Sequence, residues 1–158
     1  MEAITALTRI PSPAARTVLA EIATTSGPTD QRIRAMESIG AMEDFRDGIL
    51  TVLAEDSDEQ IRASAATALG GAGKNSPVIR ALKDATKDDA GVVRGAALVS
   101  LKRLTGSSAD DALCTAMMED DSAAVRRASV GAKGSSAGGS ACRRKCRACR
   151  FRRAPRPQ

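Results

Sequence analysis

Three strings in this chain have residue types and spacing that could do chemistry. Cys142-x3-Cys146-x2-Cys149 places three thiols within eight residues, surrounded by arginines. Thiolates so spaced can ligate a metal ion, and the flanking cations would lower their pKa values. Zinc would need a fourth ligand. The chain has no histidine, and its one other cysteine, Cys114, stands 28 residues upstream. Cys142, Cys146 and Cys149 are thus candidate metal ligands without a closing partner. Gly134-Ser-Ser136-Ala-Gly138 satisfies the string of a nucleophilic serine on a sharp turn, but there is no histidine to act as base and the string sits in a Gly/Ser run. Gly70-Gly-Ala-Gly-Lys74-Asn-Ser76 has the composition of a phosphate-cradling loop. Its glycine spacing is wrong, Asn75 stands where a hydroxyl should bind magnesium, and no strand precedes it. No catalytic residue and no cofactor is assigned from these strings.

The elements that would position any site follow a different and stronger pattern. The run from Asp56 through Arg62 to Gly70 returns as Asp88 to Leu101 around Arg94 and as Asp120 to Val130 around Arg126, with a looser copy around Arg32. The arginines step by 30, 32 and 32 residues. A fixed period in that range marks a stacked repeat array. Counting from each arginine, apolar residues stand at plus three, plus four and plus seven: Ala65, Ala66 and Leu69, then Ala97, Leu98 and Leu101. At 100° per residue these positions form one stripe of a helix. A second apolar segment precedes each such helix, as in Ile49-Leu50-Val52-Leu53 and Val78-Ile79-Leu82. The unit is therefore a helical hairpin, and the fold class is all-α, an α-solenoid of about four stacked antiparallel hairpins that begins with a half-repeat at residues 1–10.

An aspartate or two, an aliphatic residue before arginine, then alanines, leucine and often glycine resembles the short HEAT-like repeats of the phycobilisome-lyase type. The resemblance covers residues from about 1 to about 130, with Gln31 breaking the pattern before Arg32. It implies that Asp56, Asp88 and Asp120 sit in the turns, that Arg62, Arg94 and Arg126 begin the second helices, and that the six form a structural ladder of charge-assisted bonds. It also implies a curved surface built from those second helices. With plus three and plus seven inward, plus two, plus five and plus nine point away from the core, which gives Arg34, Glu37, Ser64, Thr67, Val99 and Arg103 as the expected row of partner contacts. The function expected is a non-enzymatic scaffold or adaptor binding a protein partner there.

Rival functions also come from resemblance. Members of the same repeat family include bilin lyases, for which a chain without Trp, Tyr or His offers a poor tetrapyrrole pocket. HEAT-type deoxyhypusine hydroxylase relies on His-Glu pairs, and HEAT-like DNA glycosylases want a basic concave face with aromatics. The three-cysteine spacing resembles that of radical S-adenosylmethionine enzymes, which need an α/β barrel after the motif where only nine residues follow. The chain reads as a protein other than an enzyme, with the lyase as the alternative.

Composition agrees. Hydrophobic residues make up 42% of 158, enough for one domain with a continuous stacked core. Phe45 and Phe151 are its only aromatics, so that core must be Ala, Leu, Ile, Val and Met. All 19 acids lie at or before Asp121, whereas nine of the 24 basic residues lie at or after Lys133. Residues 1–132 therefore carry a formal charge of −4 and the remainder +9. Three segments are expected: a repeat array over 1–132, a Gly/Ser linker over 133–141, and an Arg/Cys-rich tail over 142–158 that is disordered when alone. The tail could bind nucleic acid weakly through its arginines. Its onset coincides with Lys133 replacing the next core leucine, which is also what a truncated or frame-shifted end of a longer array would produce. No signal peptide or membrane span is read, so a soluble, cytoplasmic, monomeric protein is expected.

Local signals set the boundaries. Ser12-Pro13 and Ser76-Pro77 read as helix starts, Ser57-Asp-Glu-Gln60 as a capping box, and Gly27-Pro28, Gly40, Gly70-Gly71, Gly73 and Gly106 as stops. Gly48 falls inside a helical pattern.

Overall fold

A computed structural model describes residues 2–133 apart from 11, 26 and 41. The linker, the tail, the three clustered cysteines and the Gly134 to Gly138 string lie outside the described residues.

Alanine-rich runs punctuated by glycine, aspartate and proline give short helices with short connections. There are nine α-helices among the described residues: α1 (Glu2–Arg9), α2 (Pro13–Thr24), α3 (Thr29–Ile39), α4 (Arg46–Glu55), α5 (Glu59–Leu69), α6 (Ser76–Ala85), α7 (Gly91–Thr105), α8 (Asp110–Glu119) and α9 (Ala123–Lys133). No strand occurs among the described residues. Four full hairpins, α2/α3, α4/α5, α6/α7 and α8/α9, follow the single helix α1, so the half-repeat precedes the four hairpins and is not one of them. The second helices stack directly, α3 on α5, α5 on α7 and α7 on α9.

The expected stripe is the buried one. Ala35, Met36 and Ile39, then Ala65, Ala66 and Leu69, are fully enclosed, and Ala97, Leu98 and Leu101 are no more than 3% exposed. The aliphatic residue before the arginine, Ile61, Val93 or Val125, joins the same core. Each buried Leu or Ile contributes roughly 1.5–3 kcal/mol relative to an exposed one.

Glycine sets how closely the second helices approach. A Cβ on Gly40 would lie 2.6 Å from Cβ of Ala68, and one on Gly70 would lie 2.6 Å from Oγ of Ser100 and 2.9 Å from its Cβ. Both glycines stand eight residues after their arginine, against a small residue six after the next one. In the third hairpin Lys102 occupies the equivalent position, α7 runs on to Thr105, and Gly106 at φ 63° ends it. The first helices pack less closely on one another.

Several boundaries differ from the sequence reading by one residue. The cap of α5 is Asp58, which accepts from the Gln60 N–H at 2.8 Å, whereas Ser57 was expected. Ser76 is the first residue of α6, with Asn75 before it as N-cap and Pro77 inside the first turn. The last helix, α9, extends through Gly131 to Lys133, so the array reaches one residue past its expected end. None of the helices among the described residues is long and apolar enough to cross a membrane.

Candidate functional site

The turns of the last three hairpins are each closed by an aspartate. Asp88 Oδ1 accepts from the Ala90 N–H at 2.8 Å, Asp120 Oδ1 from Ser122 at 2.9 Å, and Asp56 Oδ1 from Asp58 at 3.0 Å. A short side chain folding back on the backbone two residues later is what makes aspartate a turn residue. The arginine six residues on then donates Nη1 to the aspartate's own carbonyl, at 2.9 Å for Arg62 on Asp56 and Arg94 on Asp88, and 2.6 Å for Arg126 on Asp120.

The rest of the guanidinium reaches forward. Arg62 donates Nε and Nη2 to the two oxygens of Asp88, both at 2.9 Å. Arg94 does the same to Asp120 at 2.9 and 2.8 Å. These are two-pronged arginine–carboxylate bonds, a geometry lysine could not reproduce. All four side chains are at most 16% exposed. The fork on Asp88 holds its carboxyl below the usual range, and that on Asp120 lowers it to about 2; burial opposes both shifts. Arg62 and Arg94 are correspondingly raised by their hydrogen bonds to Asp88 and Asp120.

The ladder changes at its first rung. Arg32 pairs with Asp56 through Nη2 alone and turns Nε to the Ala23 carbonyl at 3.3 Å. Arg32 and Asp56 are 24 residues apart, against 26 for the other two pairs, and the shorter step leaves one prong for the preceding helix.

The row expected to meet a partner lies across α3, α5 and α7. Arg34, Glu37, Thr67, Val99 and Arg103 are exposed, and Ser64 is half-buried. Val99 is 37% exposed despite being apolar. Between them lie Ala63, Ala68 and Ala96, so the middle of this face is smooth and uncharged, with Arg34 and Glu37 on α3 at one side and Arg103 at the end of α7.

A second feature was missed in the sequence. Three grooves repeat between the first helices: 360 Å³ between α2 and α4, 340 Å³ between α4 and α6, and 490 Å³ between α6 and α8. Each is lined by one ladder aspartate, Asp56, Asp88 or Asp120, with a further acid nearby such as Glu55, Asp84 or Glu119. For the first two grooves the matching second helices close up at Gly40 and Gly70 while the first helices stay apart; the third has Lys102 at the equivalent position. The available signal was Gly48, the misplaced helix glycine: it lines the first groove, and a Cβ there would come within 3.2 Å of Thr24 Cγ2. Cys114 is buried in α8.

No curated protein matches this chain. A family model described as HEAT repeats matches residues 46–132, the span of α4 to α9, in which the two-pronged rungs lie. The chain has a helical repeat fold and belongs to the HEAT-repeat family.

Proposed function

We propose that the protein is a non-catalytic adaptor that holds a protein partner on the face formed by α3, α5 and α7, with Arg34, Glu37, Ser64, Thr67, Val99 and Arg103 as its contact row. The observation that carries this reading is the uncharged stretch from Thr67 to Val99 on two neighbouring helices that the arginine forks join. Small side chains there let a partner helix or extended segment come close to the backbone, and an exposed valine gives it an apolar anchor. Arg34 and Glu37 at one end, with Arg103 at the other, can fix its direction by charge. No chemistry is required of the face, and the carboxylates of Asp88 and Asp120 are held by the forks of Arg62 and Arg94.

The test is site-specific photocrosslinking. A crosslinking amino acid at Thr67 or Val99 should capture a defined protein in cells, and one at Lys83 on α6 should not. The captured species should be lost when Val99→Glu is added to the Thr67 probe. Equal capture from positions 67 and 83, or capture indifferent to Val99→Glu, would remove this face from consideration.

A further inference from the structure

The last hairpin repeats the donor half of a rung whose acceptor is missing among the described residues. Arg126 closes its own turn on the Asp120 and Asp121 carbonyls through Nη1, as Arg62 and Arg94 do on theirs. In those two arginines Nε and Nη2 then grip the next repeat's aspartate. For Arg126 no acceptor of Nε or Nη2 exists among the described residues. The apolar stripe is left open at the same place. The residue four after the arginine is buried as Met36, Ala66 and Leu98, whereas Val130 is 54% exposed. Beside it Ser129 is fully buried and its hydroxyl has no partner.

We propose that this end face, made by α9, is a second docking surface, separate from the row on α3, α5 and α7, and that it takes a helical hairpin of another protein whose turn carries an aspartate. The carboxylate would accept from Nε and Nη2 of Arg126, which have no acceptor among the described residues, and an aliphatic side chain of the incoming helix would cover Val130. The interior rungs supply the template for both contacts.

Charge decides against the other occupants. The aspartate partner of Arg62 and Arg94 lies 26 residues further on, and the residue 26 after Arg126 is Arg152. Residues 134–158 contain no Asp or Glu and eight basic residues, so they repel Arg126 and offer no side-chain carboxylate. A second copy docking by its first helix would bring Glu2 as the only acid in residues 1–20, together with Arg9 and Arg16. Neither of these supplies an acidic turn, whereas an aspartate-bearing hairpin of another protein would.

The probe is a synthetic peptide of residues 76–106, a hairpin whose turn contains Asp88, titrated into the full chain labelled for NMR. Saturable binding is expected, with shifts concentrated at the Arg126 side-chain N–H and the Val130 methyls. Affinity should fall at least tenfold with the Asp88→Asn peptide, and likewise with the Arg126→Gln or Val130→Asp chain. Val130 is exposed, so Val130→Asp keeps the fold, which circular dichroism checks. Absence of saturable binding, shifts centred away from α9, or affinity unchanged by Asp88→Asn would overturn the proposal. So would Arg126-dependent dimerisation of the chain alone, which would assign the face to a second copy.

Discussion

At the scale of single residues, Arg94 does three things that no other side chain in its repeat could do together. It closes its own turn on Asp88, grips Asp120 with two prongs, and reaches Asp121 at 2.5 Å. The acid response follows from that geometry. An unfolded aspartate titrates near 3.9, and Asp120 is lowered to about 2 by Arg94. A depressed carboxyl contributes stability that is complete above the unfolded pKa and is lost as pH falls toward the folded one. Urea midpoints should therefore hold from pH 7 to about 4 and fall between about 4 and 2, with Asp120 accounting for on the order of 2 kcal/mol. In Arg94→Gln that part of the decline should vanish, because its cause is gone; an unchanged acid slope would mean Asp120 is not the group responsible. The core gives the opposite kind of residue. Leu69 is wholly enclosed and Thr67, two residues earlier, is exposed. Leu69→Ala should cost about 2–5 kcal/mol, and Thr67→Ala within about 0.5 kcal/mol, both read from denaturant midpoints.

At the scale of elements, two of the three second-helix contacts are set by a glycine at the end of one second helix that faces a small residue in the next. Gly40→Ala places a methyl 2.6 Å from Cβ of Ala68 and 2.9 Å from its Cα, and neither atom can rotate away. Overpacking of this kind should cost about 1–3 kcal/mol. Adding Ala68→Gly should restore much of the loss in a thermal melt, beyond the helix penalty of about 1 kcal/mol for the new glycine. Failure of that rescue would show that Gly40 is needed for its backbone and not for the contact. This pairing explains what could be read before the fold was known and what could not. Helix identity, the hairpin unit and the buried stripe follow from a period written in Arg62, Leu69 and their copies, and periodicity survives translation into structure. The six-residue path from arginine to turn aspartate is local and legible for the same reason. The grooves between α2, α4, α6 and α8 are not local: they depend on the distance between first helices, which reflects how closely the second helices pack on the opposite side of the layer, as at Gly40 and Gly70 for the first two grooves. Caps slipped by a residue at Asp58 and Asn75 because Ser, Asp and Asn compete for the same role over adjacent positions.

At the scale of the whole molecule, body and tail have opposite charge and should separate cleanly. Residues 2–133 carry every hairpin interface found among the described residues, and a repeat array is stabilised by nearest neighbours. A chain ending at Lys133 should keep its helical circular dichroism and its melting midpoint to within about 2 °C. Any attraction of the full chain to nucleic acid should go with the deleted segment, since residues 134–158 hold eight basic residues and no acids, while residues 1–133 hold 16 basic residues against 19 acids. Phosphate neutralisation releases counterions with a slope of about −0.9 per contact on duplex DNA, so eight basic groups limit the salt dependence to a slope of about −7. Binding measured by fluorescence anisotropy should thus be weak at physiological salt and tighter at low salt, without preference among sequences. Phosphate neutralisation needs excess basic charge, and the shortened chain carries a formal −3; should it still hold duplex DNA at about 150 mM salt, the face of α3, α5 and α7 with Arg34 and Arg103 at its ends would have to be read as a nucleic-acid groove, and the protein-adaptor reading would fall.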